Sequence, residues 1–112
     1  MVYRTALADF VLDQLDFIEG KLIEARDDAH SQKGAVIEAA GAVHQVRERL
    51  WSEDETNATL CLLAFKALVD RGATDWWTKL AEMERVQFLL VVDGLLDPAN
   101  GNIAAVRSVL SQ

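Results

Sequence analysis

The sequence predicts an all-α chain, an antiparallel bundle of four main helices plus a short C-terminal helix, on three observations. Apolar residues recur at spacings of three and four along nearly the whole length. No segment alternates polar and apolar with the period of two that a half-buried strand needs. Breakers are few, one proline and six scattered glycines, and no linker or repeat divides the 112 residues, so 1–112 reads as a single helical domain.

The first helix starts near Thr5, where Leu7, Phe10, Val11, Leu15, Ile18, Leu22, Ala25 and Ala29 follow one side of a helical surface. Its end falls in the stretch AHSQKG, where Ser31 and Gly34 weaken the pattern. A second stripe runs Val36, Ala39, Ala40, Val43, Val46 and Leu50 to Trp51. The small residues of GAVIEAAGAV predict close approach of a neighbouring helix, with Gly34 and Gly41 each costing about 1 kcal/mol of helix propensity relative to Ala. Ser52 with Glu55 forms a capping-box pattern, and Glu53 and Asp54 suit the positive end of a helix dipole, so a third helix starts here. Its residues Leu60 to Val69 are apolar around most of the circumference, which predicts the central position, and Gly72 closes it. A fourth helix, capped by Thr74 or Asp75, is expected to run unbroken to Leu96. After Pro98, Asn102 is placed to cap a last helix carrying Ile103, Val106, Val109 and Leu110.

Two features of the fourth helix call for explanation. Adjacent helical residues differ by about 100°, so Trp76 and Trp77 cannot share one direction. Trp77 continues the stripe of Leu80, Ala81, Phe88, Val91, Val92 and Leu95 and is the core candidate, whereas Trp76 lies at the rim near Met83 and Leu90. Glu84 falls inside the Trp77 stripe, and Arg47 falls among Val36, Ala40, Val43 and Leu50 of the second helix. A lone charge in a core is costly, so either the two meet as a buried polar pair with His44 at its edge, the preferred expectation, or the stripe rolls away at this turn and both charges reach solvent.

Composition narrows the function. The net charge of -7, from 18 acidic and 11 basic residues, argues against direct nucleic-acid binding by phosphate neutralisation. The sole cysteine, Cys61, lies in LCLLAF and reads as a packed thiol in a reducing compartment, and neither a secretory leader nor a membrane span is evident, so a cytoplasmic protein is expected. The first helix carries Asp9, Asp13, Asp16 and Asp27 opposite its apolar stripe, with Glu24 alongside. This acidic ridge, together with an aromatic patch at Trp51 and Trp76, is the candidate surface for a protein partner.

Catalytic signatures are sparse. The paired E-x-x-H pattern of di-iron bundles, phosphate-binding glycine loops and local nucleophile motifs are all missing, and no metal or other cofactor is expected. Over one helix turn, Asp13 and Asp16 resemble the acidic pairs with which all-α nucleotide pyrophosphohydrolases hold magnesium. The second paired acidic motif of that family is not found here, and its activity is not carried over. The expectation is therefore a small acidic protein-interaction module of inhibitor, immunity or adaptor type, with a metal-dependent helical enzyme using clustered carboxylates as the alternative. A homo-oligomer is a further possibility through the small-residue face of the second helix and the apolar surface of the fourth.

Overall fold

The computed structural model describes residues 6–52 and 74–111, and among these every regular element is helical. Helix α1 is Ala6–Asp27, a 3-10 turn covers Ala29–Ser31, α2 is Gln32–Ser52, α3 is Thr74–Ala81, α4 is Arg85–Leu96 and α5 is Asn102–Leu110. The third helix expected from the sequence, including Leu60 to Val69, lies outside the described residues beyond Ser52. Ser52 itself is the last residue of α2 and donates its hydroxyl to the Arg49 carbonyl at 2.8 Å.

The first two helices form an antiparallel hairpin. Lys21 meets Glu38 near the turn, and farther out the Arg49 guanidinium lies 5.3 Å from the Phe10 ring centre. Leu7, Val11, Leu15, Ile18, Leu22 and Ala25 of α1 are buried, as are Ala35, Val36, Ala39, Ala42, Val43 and Val46 of α2. The alanines supply the close approach expected of the small-residue face. Gly34 and Gly41 do not, because both are exposed and a β-carbon on either would meet open space.

The turn between them is built from adjacent residues. Asp28 takes an extended conformation, accepts the His30 amide at 3.0 Å on one oxygen and the Ser31 hydroxyl at 2.9 Å on the other. These bonds favour the ionised carboxylate and hold its pKa below the ordinary value, the Ser31 hydroxyl contributing most and the His30 amide next.

The span expected as one helix from Thr74 to Leu96 is instead two, α3 and α4, separated at residues 82–84. Trp77, Leu80 and Ala81 are buried on one side of the break, and Phe88, Val92 and Leu95 on the other. Here α3 packs on α2, whereas α4 and α5 pack on α1. The break also disposes of Glu84. On an unbroken helix that carboxylate would sit in the middle of the buried stripe, but at the break it is exposed. The inward position expected for Glu84 is thus corrected: the chain turns the charge out to water, which avoids desolvating it. Arg47 is half-buried, and His44 is exposed with Nε2 3.6 Å from Glu48 of the same helix.

Two long-range side chains fasten the break. The Gln32 amide nitrogen faces the carbonyls of Leu80, Ala81 and Met83 at 3.5, 3.4 and 2.8 Å. Arg85 donates to the carbonyl of Ala25 at 2.7 Å, to that of Arg26, and to the Gln32 side-chain oxygen at 3.2 Å. The last turns of α1 and α3 thereby receive donors for carbonyls that have no intrahelical partner. Gln32, 7% exposed, is the buried polar side chain among the described residues.

A tight corner leads into α5. Asp97 accepts the amides of Ala99 and Asn100 on its side chain and that of Gly101 on its carbonyl. A β-carbon on Gly101 would lie 2.5 Å from the Asp97 carbonyl oxygen and 2.6 Å from that of Leu95, so only glycine fits. Gly101, not Asn102, occupies the capping position, and Asn102 opens the helix.

Candidate functional site

Asp9, Asp13, Asp16, Glu24 and Asp27 are all exposed along the outer side of α1, because their spacing returns them to one helical face while the apolar stripe faces α2. The structure gives them different surroundings. Asp16 is turned towards α5, where Arg107 donates to it at 2.7 Å and to Glu19 at 3.0 Å. This pair of carboxylates raises the Arg107 pKa further, Glu19 being the stronger influence. Asp27 pairs with the neighbouring Arg26 at 3.0 Å. Asp13 instead borders a groove between α1 and α2.

That groove has a volume of about 550 Å³ and is lined by Asp13, Gln14 and Phe17 from α1 and by Glu38, Gly41, Ala42 and Gln45 from α2. Phe17 is 45% exposed, since it stands off the stripe of Leu15, Ile18 and Leu22 that enters the core. Lys21 lies beside two of these residues, reaching Glu38 at 2.7 Å and Glu24 at 3.2 Å with its ammonium 5.6 Å from the Phe17 ring centre. The hydrogen bond to Glu38, then that to Glu24, raises the lysine pKa. Glu24 and Glu38 share that one lysine, and with Asp13 on the groove they leave local negative charge beside an aromatic floor. Such a groove suits an aliphatic stem that ends in a cation, and the Gln14 and Gln45 amides offer hydrogen bonds in either direction.

The aromatic patch expected at Trp51 and Trp76 is not assembled. Trp77 is buried at 4% exposure, as its stripe predicts, and Trp76 is half-buried against it with ring centres 5.0 Å apart and planes at 89°. The indole N–H of Trp77 finds no acceptor among the described residues. Trp51 is 82% exposed at the far end of α2. Gln32 touches the end of α3, and about 28 Å of helical rise separates Gln32 from Trp51, which places the two tryptophan sites towards opposite ends of α2. Trp51 shares the outer side of α2 with Ile37 and His44, each seven residues apart and each exposed.

A second groove, about 450 Å³, lies between α1 and α5 beside Glu19, Leu96, Pro98, Ala104 and Arg107. Its cation is already held by Glu19 and Asp16. No three histidine, cysteine, aspartate or glutamate side chains among the described residues are grouped so as to hold a metal ion. No helix of the described residues is long and apolar enough to cross a membrane.

Several residues that matter here were invisible in the sequence. Glu38 and Phe17 line one groove from opposite helices of the hairpin, and Arg107 reaches Asp16 from 91 positions away. Only Phe17 left a trace, as an aromatic off the apolar stripe. Comparison with protein-family models, with curated proteins and with solved structures finds no match to this chain.

Proposed function

We propose that the chain is a small acidic protein-interaction module, of inhibitor, immunity or adaptor type, that binds a cationic segment of a partner protein along α1 and the α1–α2 groove. The observation that carries this reading is the exposed Phe17 lining one groove with the carboxylates of Asp13 and Glu38. An aromatic floor supplies apolar contact area, and the acidic rim selects a basic partner and speeds its approach. Asp9 extends the acidic surface along α1, where Asp16 and Asp27 also lie, paired with Arg107 and Arg26 as Glu38 is with Lys21. In this reading the chain works in the cytoplasm, with the antiparallel bundle as a rigid frame for the groove. The alternative, a metal-dependent enzyme built on clustered carboxylates, has less support because Asp16, Glu24 and Asp27 are spread along α1 and pair with Arg107, Lys21 and Arg26 in turn.

Quantitative capture from the native host tests the reading, comparing the unmodified chain with the triple variant Asp13→Lys, Phe17→Ala, Glu38→Lys. A specific partner should be retained by the first and lost from the second, with affinity falling as salt rises. Equal recovery of the same partner by both proteins would rule the groove out.

A further inference from the structure

The break between α3 and α4 has no cause in the local sequence. Residues 80–88 read LAEMERVQF, without glycine or proline and with good helix formers through the break. Glu84 makes no side-chain cap for α4. Fusing α3 and α4 would therefore satisfy backbone groups that the break leaves to other partners. What opposes fusion is tertiary: the Gln32 and Arg85 contacts, and the exposure of Glu84.

We propose that residues 82–84 form a two-state hinge whose open state is a continuous helix from Thr74 to Leu96, through which two copies of this chain exchange α4 and α5. The occupant of the vacated α1 surface is specified by the fold itself. Phe88, Val92 and Leu95 of α4 and Ile103, Val106 and Leu110 of α5 are buried in the single chain, and α4 and α5 pack on α1. A second copy offers the same α1, so exchange restores the packing of α4 and α5 on α1, while the hinge and the Gln32 contacts to it change. Straightening also aligns an apolar strip. Trp76, Met83 and Leu90 then recur every seven residues with Val86 on the same side, and Val86 and Leu90 are 65% and 71% exposed in the broken form.

Glu84 sets the balance between the states. In the continuous helix it joins the face of Trp77, Leu80, Phe88 and Leu95, where its charge opposes fusion, and in the broken form it is exposed with φ of -56°, a value proline shares. Opposite substitutions at this one exposed position should move the equilibrium in opposite directions.

Light scattering on the full chain over a hundredfold concentration range tests the proposal, with circular dichroism to establish folding. Glu84→Leu should raise the dimer fraction about tenfold over the unmodified chain at equal concentration, and Gln32→Leu should do likewise. Glu84→Pro should remain monomeric, and adding it to Gln32→Leu should abolish that variant's dimer. The proposal is overturned if folded Glu84→Leu stays monomeric throughout, or if a dimer of Gln32→Leu survives the addition of Glu84→Pro. Should Gln32→Leu fail to fold, the Glu84 pair decides the matter, because that side chain is not part of the core.

Discussion

Two junctions in this chain reverse or redirect a helix by different means. The one at residues 28–31 carries a local cap: Asp28 binds groups two and three residues ahead, and only the Ala25 and Arg26 carbonyls at the end of α1 take a remote donor, from Arg85. The one at residues 82–84 has no side-chain cap of its own, since Glu84 makes none, and its local support is limited to backbone bonds such as Met83 N–H to the Leu80 carbonyl at 3.3 Å. Its carbonyls are met by Gln32, 48 to 51 positions earlier, and its Arg85 serves the end of α1, 59 and 60 positions earlier. A junction of the first kind should form whenever its segment does, and one of the second kind only once the tertiary structure is in place. The second kind can thus be lost without disturbing local propensity.

The largest expected effect tests the remote junction. Gln32→Leu removes the donor facing three carbonyls and one acceptor of Arg85, and should lower stability to urea by about 2–4 kcal/mol. Arg85→Met should cost about 1.5–3 kcal/mol, and the double variant should cost less than the sum because the two side chains share a bond. Strict additivity would mean that they are independent caps. At the locally built corner before α5, Gly101→Ala forces a β-carbon onto backbone oxygens and should cost about 1–3 kcal/mol in the same measurement.

The 28–31 junction should respond more weakly and with a pH signature. The Asp28 carboxyl has a folded pKa below its usual 3.8, so its contribution is complete above that value and disappears as the pH falls through the depressed one. Asp28→Ala should lower the urea midpoint at pH 7 by less than Gln32→Leu does, and the difference from the unmodified chain should vanish in acid. An unchanged midpoint at pH 7 would show that the turn forms without its cap. The smallest effect is a gain: Gly34→Ala, in open space inside α2, should add about 0.5–1 kcal/mol.

The same contrast explains what could be read in advance. The stripes of α1 and α2, the burial of Trp77, the corner after Leu96 and the acidic side of α1 follow from periodicity and turn chemistry, which act over a few residues. Gln32 looked like part of a connecting loop because nothing near it reveals the carbonyls of Leu80, Ala81 and Met83. Of the candidate surface, the carboxylates were legible as a ridge, but the groove that singles out Asp13 depends on Glu38 and Ala42 across the hairpin. The tryptophans follow the same rule, since their helical angles distinguish Trp77 from Trp76, yet no angle along one helix says that Trp51 stands far from both.

Sequence alone determined that the described residues are helical and which stripe of each of their helices is apolar, because those properties depend on spacing within a few turns. It also flagged Glu84 as a charge that the buried stripe could not accept. Tertiary structure decided how that conflict was resolved. Pairing with Arg47 would have kept a desolvated carboxylate inside the helix stack, whereas breaking the helix returns it to water and leaves backbone carbonyls for Gln32 to meet. That choice depends on a side chain from a distant helix arriving at the right place, which no local pattern encodes.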